Sequence, residues 1–565
     1  MTRRLSRVLG GAGLAVVMAA AVISCSSPNS PNAKKSSGVN GGYDPGYTCS
    51  KKACPSTLTA GLAGGQTTFV KNFNPWSPTA TAGTFFMYEP LWMFNILKGG
   101  EFIPWLADKP TWSEDGKKLT IHLNDKATWS DGSPVSSDDL VFTLEAMKKD
   151  PELSKFDFAG VKATDPKTAE ITFAGPAYTL EGTIGGIAIV PKKVWESQDL
   201  KKWTNPDPVV SGPYKIGQFS SQQVVLQARA DYWKQKVPVP QVKIPILGQA
   251  ENQKLMSGEL EWSGGAIANV EKVYVAKDPK NFHAWYPSYG SLNVYFNPAH
   301  KPFDNPSVRK GLSMAIDANQ INKVVNQDRN YAISPTGMDQ KTQGKWIAPQ
   351  YKDLKYGTAD PTGALAELSK AGFTKQGDKL VGADGKQLTV DLPENAEYAD
   401  SIQLDQIVAD QWKKIGVQAN VRPVPGTQLD ALKKSADLDV TIGGAVYGAN
   451  PWGYYNDILS SKNAGSWANY GSWKDPKTDA LLKELSVAGD EAGQLKVVTE
   501  LQKIMVEQVP SFPMSSIGAS SEYSSKNWVG WPDADNPYAM PPPWAAGDNL
   551  RVLLSLKPNP ETYGG

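Results

Sequence analysis

The stretch of residues 119–147, LTIHLNDKATWSDGSPVSSDDLVFTLEAM, contains three structural signals in direct succession. Its first five residues alternate apolar and polar side chains, which is the period of a half-buried strand. Residues 130–134, Ser-Asp-Gly-Ser-Pro, combine the residue types that form tight turns. Ser136 and Asp139 are spaced as a capping box in front of an apolar face. We therefore expect a strand, a turn and a capped helix here.

The composition is that of a globular protein with more than one core. The chain has 565 residues, of which 40% are hydrophobic and 20% charged. This length exceeds that of a typical single domain. A formal net charge of +1 offers no basic excess to neutralise phosphates, so nucleic acid is not an expected partner.

The first residues have the pattern of an export signal. Three arginines precede an uncharged run over residues 8–23, which is shorter than the roughly 20 residues that span a bilayer. We therefore expect residues 1–24 to be a signal peptide. Ser24 and Cys25 at its end resemble a bacterial lipobox, which predicts lipid on the Cys25 sulfur. An ordinary signal peptide is the alternative, and the pattern leaves the choice between the Sec and twin-arginine routes open.

Residues 25–56 are rich in Ser, Pro, Asn, Gly and Lys, a composition that cannot form a core. We expect a flexible tether. Cys49 and Cys54 lie five positions apart, and outside the cytoplasm a small disulfide loop is the favoured pairing. A metal site is the alternative, although two thiols provide too few ligands.

Several further motifs, taken with the opening stretch, resemble one protein family. They are VVSGPYK at 209–215, RADYW at 229–233, GELEW at 258–262, LNVYFN at 292–297 and PFDNPSVRK at 302–310. As a set they resemble the family 5 extracellular solute-binding proteins, the receptors of peptide, nickel and some oligosaccharide ABC importers. The resemblance covers nearly all of residues 58–555.

The resemblance implies an α/β fold of the periplasmic-binding-protein-like type II (cluster C), with two lobes, a hinge and a small inserted domain. It implies a hinge where the chain crosses between lobes, near 293–297 and 510–516, and a helix over 308–321. The expected domains are 57–98, 206–296 and 514–565 for lobe I, 99–205 for the inserted domain of lobe I and 297–513 for lobe II.

An enzyme finds little support in the sequence. It has no GxSxG, HExxH, Walker A or dinucleotide motif outside the expected signal peptide. Its three histidines are not paired at ligand spacing. We predict no catalytic residue, no metal and no cofactor. A secreted carbohydrate-active enzyme stays the alternative from another class, because a glycosidase needs only two carboxylates.

Aromatic residues are the main indication of a ligand. The chain has 18 Trp and 21 Tyr, and their flat apolar faces with a polar edge suit sugar rings or peptide side chains. The family's cleft implies a set of ligand-binding candidates. They are Trp76, Glu261, Trp262, Tyr289, Tyr447, Asn450, Trp452, Tyr454 and Tyr455.

The segment before Asn450-Pro451 bears on the ligand class. In the family's peptide receptors an Asp three residues before this pair binds the ligand's α-amino group, and Tyr447 stands there in this chain. A buried ammonium needs a charged partner, which Tyr cannot supply. This favours an oligosaccharide over an oligopeptide, although Asp457 or Glu261 could substitute.

Together these features predict a lipid-anchored, monomeric, extracytoplasmic receptor at the cell membrane. The resemblance implies that it captures a small oligomeric solute by hinge closure and delivers it to an ABC permease and its ATPase. An oligopeptide or dipeptide receptor of the same family is the alternative. Contact with the membrane is expected through the lipid only.

Overall fold

The computed structural model describes residues 43–62, 66–150, 152–354, 357–466 and 469–564. The expected signal peptide, the lipidation site Cys25 and the first part of the expected tether lie outside these residues. No helix in the described part of the chain is both long and apolar enough to cross a membrane.

The opening stretch folds as its pattern predicts. A strand runs over Lys118–His122 and a helix over Ser137–Lys148. The Ser136 hydroxyl accepts from the Asp139 backbone N–H, and the Asp139 carboxylate accepts from the Ser136 backbone N–H, which completes the capping box.

Lobe I is the part whose main core is formed by residues between 58 and 262 and between 523 and 556. It has two four-stranded sheets. The first has the strand order Thr57–Thr59, Gln241–Pro245, Gln223–Ala228 and Tyr214–Ser220. The second has the strand order Thr111–Trp112, Lys118–His122, Thr168–Thr172 and Gly160–Ala163. Its smaller sheets comprise Trp92–Asn95 with Glu101–Pro104, Trp262–Ser263 with Ser521–Ser524 and Phe282–Trp285, and Trp528–Val529 with Lys557–Pro558. Its helices are Ser137–Lys148, Glu181–Gly185, Lys192–Trp195, Glu251–Ser257, Val270–Val273, Asp548–Ser555 and Pro560–Tyr563.

Lobe II is the part whose two cores are formed by residues between 294 and 514. Its strands include the parallel pair Thr389–Asn395 and Gln418–Val424, the hairpin Thr374–Gln376 and Lys379–Val381, and Val440–Val446. Its helices are Pro306–Met314, Ala318–Val324, Pro361–Lys370, Ala399–Lys414, Gly426–Ser435, Pro451–Leu459, Pro476–Ser486 and Glu491–Gln508. The alternation of helices and strands gives an α/β lobe. The exact domain boundaries stay predictions.

Two strands connect the lobes side by side. The first crossing strand, Ser288–Phe296, pairs antiparallel with the second crossing strand, Ser511–Gly518, and with Val440–Val446. The lobe II ends of both crossing strands supply core residues there, including Val294 and Phe512. A pair of adjacent strands leaves few backbone positions between the lobes, which is the geometry that a hinge requires.

The expected single helix over 308–321 is wrong. The structure has two helices, Pro306–Met314 and Ala318–Val324, separated by residues 315–317. The Asp317 side chain accepts from the Gln320 backbone N–H and starts the second helix. The apolar period continues across this break, which is why the sequence predicted one helix.

The tether was predicted too long, because its last part is fixed on lobe I. The Tyr43 hydroxyl donates to the Val237 carbonyl and accepts from the Val237 backbone N–H, both at 2.8 Å. The Tyr47 hydroxyl donates to the Pro238 carbonyl at 2.7 Å. Composition missed these contacts because two tyrosines suffice to dock a short polar segment.

A disulfide closes this docked segment. Cys49 and Cys54, the pairing that the sequence favoured, are bonded with their Cα atoms 5.4 Å apart. Inside the loop, the Lys51 backbone N–H donates to the Tyr563 carbonyl at 2.8 Å. The segment therefore joins the end of the chain to lobe I.

Candidate ligand-binding site

The two lobes enclose a large cavity, called cavity A here. Its volume is about 850 Å³, within the range of small-molecule sites. Residues between 62 and 96, between 179 and 188 and between 546 and 548 line it from lobe I, and residues 448–453 line it from lobe II. A ligand in cavity A would therefore touch both lobes.

The lining of cavity A is mainly aromatic, small and uncharged. Its aromatic members are Phe85, Tyr88, Trp92, Phe94 and Trp452. The hydroxyl and amide side chains are Gln66, Ser77, Thr81, Thr84, Thr179, Thr183 and Asn450. Glu89 and Asp548 are the charged residues among those that line it. This mixture of flat apolar faces and neutral polar groups suits an uncharged polar oligomer.

Glu89 is buried and fully engaged by the protein. Its Oε1 accepts from the Trp105 indole N–H at 2.8 Å and from the Tyr232 hydroxyl at 2.5 Å. Its Oε2 accepts from the Trp233 indole N–H at 3.1 Å. Burial raises the pKa of Glu89 to about 7, although these three donors oppose the shift. Glu89 therefore holds the wall of cavity A together.

Asp548 begins the helix Asp548–Ser555 and is paired on that helix. The Arg551 guanidinium donates to Asp548 Oδ1 at 3.1 Å, and both side chains are largely shielded from solvent. Burial raises the pKa of Asp548 to about 6, although Arg551 opposes the shift. Both carboxylates that line cavity A are thus already bonded to protein donors.

Asn450 and Trp452 reach cavity A because a helix begins beside it. The strand Val440–Val446 ends next to the cavity, and Asn450 caps the helix Pro451–Leu459 by accepting from the Trp452 backbone N–H at 3.0 Å. The Trp452 indole N–H donates to the Leu482 carbonyl at 3.1 Å, which fixes the ring. These are the two predicted site residues that line cavity A.

The three predicted tyrosines of this segment pack in the core of lobe II. Tyr454 and Tyr455 are fully buried and Tyr447 is nearly so. Tyr447 donates its hydroxyl to the Gly337 carbonyl at 3.0 Å, and Tyr455 donates to the Thr336 carbonyl at 2.9 Å. The Tyr454 hydroxyl lies 2.7 Å from the Ser291 hydroxyl oxygen. Buried hydroxyls need such protein partners, and the assignment of the three tyrosines as ligand contacts stays a prediction.

Two predicted tryptophans of lobe I also pack against other parts of the protein. Trp262 is completely buried, and its indole N–H donates to the Pro541 carbonyl at 2.8 Å. Trp76 contacts Trp195 with ring centroids 5.1 Å apart and donates to the Ala188 carbonyl at 3.2 Å. Neither Trp lines cavity A.

Glu261 holds two distant segments together and does not line cavity A. Its carboxylate accepts from the Thr59 backbone N–H at 3.1 Å and from the Asn527 amide at 2.8 Å. It is therefore not available as a partner for an amine. Asp457, the other amine candidate, is also absent from the lining of cavity A, and burial raises its pKa to about 6.

Tyr289 lies on the first crossing strand beside an aromatic residue that the sequence analysis missed. The rings of Tyr289 and Trp544 are 5.9 Å apart in an edge-to-face arrangement. Trp544 is 43% exposed, unusually high for a ring of this size. It follows Pro541-Pro542-Pro543, and this proline run next to a Trp was the available signal.

Residues 101–466 match the model of the bacterial extracellular solute-binding proteins, family 5 Middle. The match covers more than half of the chain, and the chain therefore belongs to this family. Its members are solute-binding components of ABC importers.

Curated relatives support this assignment. A probable peptide-binding protein, YejA, of Agrobacterium fabrum is 25% identical over 475 residues, covering 72% of this chain and 76% of the relative. Di/tripeptide-binding protein 1 of Pseudomonas aeruginosa is 26% identical over 478 residues, covering 77% and 85%.

Solved structures confirm the two-lobed type II fold. The oligopeptide-binding protein of an oligopeptide ABC transporter of Thermotoga maritima superposes with a TM-score of 0.81 at 24% identity, covering 89% of this chain and 99% of that chain. The mannohexaose-bound structure of that protein superposes with a TM-score of 0.71 at 24% identity, covering 89% and 98%. At this identity the likeness concerns the fold alone.

Proposed function

We propose that the protein is the substrate-binding lipoprotein of an ABC importer and captures a small oligomeric solute, with an oligosaccharide favoured over an oligopeptide. Cavity A is the observation that carries this proposal, because both lobes line it and its polar side chains are mostly uncharged. The protein works as a monomer, anchored through lipid on Cys25, and passes its ligand to the permease and ATPase.

Binding is the whole of the proposed mechanism. The lobes rotate about the paired crossing strands, and closure removes water from the ligand in cavity A. Aromatic faces such as Phe94 and Trp452 contact the apolar faces of the ligand. Neutral side chains such as Asn450 satisfy its hydroxyls or amides, since an unpaired buried polar group is costly.

The state of the carboxylates supports an oligosaccharide. A peptide's ammonium group would need a carboxylate to offset its desolvation. Glu89 has three donors and Asp548 has Arg551, so accepting an ammonium would require breaking existing contacts. Sugar hydroxyls carry no charge and make no such demand. The mannohexaose bound to the Thermotoga maritima protein shows that this fold can hold a sugar oligomer.

An oligopeptide is the second candidate, and the relatives' names favour it. Both curated relatives described above are named as peptide-binding or di/tripeptide-binding proteins. Peptide backbones also bind through neutral hydrogen bonds, which cavity A offers, and an N-terminally blocked peptide would carry no ammonium.

The ligand class is tested by native mass spectrometry of residues 43–565 purified without refolding, followed by calorimetric titration. The probes are cello- and manno-oligosaccharides of three to six units and mixed tri- to pentapeptides. We expect a saccharide to bind and to be recovered unchanged. Tight binding of free peptides alone would establish the second candidate. Cleavage of a bound sugar would instead indicate a carbohydrate-active enzyme.

A further inference from the structure

One short segment of the expected inserted domain both lines cavity A and contacts lobe II. It comprises a single helical turn at Tyr178–Leu180 and the helix Glu181–Gly185 that follows directly. Its residues in the lining of cavity A are Thr179, Gly182, Thr183 and Gly186. The Tyr178 ring does not line cavity A and lies against lobe II at a separate place.

The inserted domain fixes the position of the Tyr178 ring. Its hydroxyl donates to the Glu114 carbonyl at 2.9 Å, and its centroid lies 5.2 Å from that of Trp112. The ring also covers Gly116, which has a φ of 65° and where a Cβ atom would lie 2.5 Å from Tyr178 Cε2. Only glycine fits at this position, so the ring is held on the turn that precedes the strand Lys118–His122.

On lobe II, the Tyr178 ring lies against Gly489. A Cβ atom at Gly489 would be 3.1 Å from Tyr178 Cζ, which is closer than an ordinary van der Waals contact. Gly489 belongs to the turn between the helices Pro476–Ser486 and Glu491–Gln508. The Gln494 amide donates to the Ala488 carbonyl at 3.0 Å and fixes this turn. Because residue 489 has no side chain, the ring can approach the backbone of lobe II.

A second contact between this segment and lobe II lies four positions further along the chain. A Cβ atom at Gly182 would lie 2.8 Å from the Ala449 Cβ. A Cβ atom at Gly100 would lie 2.5 Å from the Ala449 carbonyl oxygen. Ala449 of lobe II therefore occupies space that two glycines of lobe I leave open. Opening the hinge would break this contact together with the contact at Tyr178.

Both partners of the Tyr178 contact are connected directly to walls of cavity A. On lobe I, the next residue, Thr179, lines the cavity. On lobe II, the helix Pro476–Ser486 leads to Gly489, and its Leu482 carbonyl accepts from the indole N–H of Trp452, which also lines the cavity. A hinge motion that moves Trp452 relative to Thr179 would therefore also move Gly489 relative to Tyr178.

We propose that the inserted domain is a closing element, whose Tyr178 docks on the turn at Gly489 when the lobes close around a ligand. Tyr178 is then a positioning residue, because it stabilises the ligand-bound arrangement without touching the ligand. A contact that forms only between closed lobes raises the fraction of closed molecules, and the apparent affinity rises with it. The inference rests on the proposed function and applies equally to a saccharide and to a peptide.

The test measures affinity by calorimetry for the tightest-binding probe of the titration series, in variants that remove or obstruct the contact. Tyr178→Ala removes the ring, and Gly489→Val places a branched side chain against it. We expect each variant to bind about fivefold more weakly or worse, because fewer molecules reach the closed state. Tyr178→Phe keeps the ring and should bind within about twofold of the wild type.

A double-mutant cycle shows whether the two residues act together. When Tyr178→Ala and Gly489→Val are combined, the valine meets no ring, so the loss of affinity should equal that of Tyr178→Ala alone. Gly160→Val is the matched control in the inserted domain, because nothing lies within 4 Å of a Cβ atom at Gly160. This control should bind like the wild type. Thermal unfolding without a probe checks that each variant is folded.

Hydrogen exchange gives a readout that a merely structural role would not change. In the wild type, the bound probe should slow exchange in residues 113–118 and 486–490, which lie outside the lining of cavity A. We expect this probe-dependent protection to disappear in Tyr178→Ala and to remain in Tyr178→Phe.

The possible failures are distinguishable. Unchanged affinity in either Tyr178→Ala or Gly489→Val, or additive losses in the double variant, overturns the inference and leaves the proposed function intact. Failure of every saccharide and peptide probe to bind the wild type overturns both.

Discussion

At the scale of single residues, the structure separates aromatic rings that face cavity A from rings that only lie near it. Trp452 and Tyr447 are five positions apart, yet Trp452 lines cavity A and Tyr447 donates its hydroxyl to the Gly337 carbonyl inside lobe II. The group that accepts the hydrogen bond from the Tyr447 hydroxyl determines where this ring lies. This partner lies 110 positions away in the sequence, so local pattern cannot reveal it.

We predict that Tyr447→Phe lowers the free energy of unfolding by about 1 kcal/mol, because the buried hydrogen bond to Gly337 is lost. Its affinity for the tightest-binding probe of the titration series should stay within twofold of the wild type. Trp452→Ala is the comparison and should weaken that affinity at least tenfold. Urea unfolding and calorimetry measure the two quantities. A large loss of affinity in Tyr447→Phe would return Tyr447 to the binding site.

At the scale of elements, the helix Ser137–Lys148 is held by one carboxylate. Asp139 accepts from the Ser136 backbone and hydroxyl, both at 2.9 Å, from the Trp129 indole N–H at 3.0 Å and from the Lys192 backbone N–H at 2.8 Å. The capping residue therefore also connects the turn before the helix to the segment at Lys192.

We expect Asp139→Ala to destabilise the protein by about 3 kcal/mol, since it leaves the buried Trp129 N–H and the Lys192 N–H without an acceptor. Ser136→Ala should cost about 1 kcal/mol, the usual effect of losing an N-cap. Asp138→Ala is the control at the exposed neighbouring position and should cost less than about 0.5 kcal/mol. Denaturant unfolding measures all three, and equal losses for Asp138 and Asp139 would contradict the prediction.

Elements could be predicted from the sequence where their determinants are local. The capping box at Ser136 lies within four residues, and it formed as expected. The prediction of a single helix over 308–321 was wrong because Asp317 starts a new helix without interrupting the apolar period. The contacts of Glu261 could not be predicted for the opposite reason, because its partner Asn527 lies 266 positions away. Fold class and element type were therefore accessible, whereas most side-chain roles depended on distant contacts.

At the scale of the whole molecule, several buried carboxylates share one electrostatic property. Burial raises the pKa of Glu89 to about 7 and those of Asp457 and Asp548 to about 6. When the pH lies between the ordinary pKa values near 4 and these raised pKa values, the folded protein keeps protons on these carboxyl groups that the unfolded chain has released. Folding therefore binds protons in this range, and stability decreases as pH rises.

We predict that the free energy of unfolding falls as pH rises from about 4.5 to 7, by up to about 1.4 kcal/mol per pH unit for Glu89 alone. Glu89→Gln cannot ionise and should reduce the slope of stability against pH between pH 6 and 7, just below the raised pKa of Glu89. Urea unfolding at half-unit steps of pH measures both proteins. A wild-type stability that rises through pH 6 to 7 would contradict the raised pKa of Glu89.

The docked segment that begins at Tyr43 has a mechanical consequence. Its hydrogen bonds to Val237 and Pro238 and its contact with Tyr563 all lie in lobe I. Force applied through residues before Tyr43 would therefore enter lobe I and bypass the crossing strands. A receptor immobilised from that end should leave lobe II free to swing, which makes it suitable as the sensing element of a surface-mounted device.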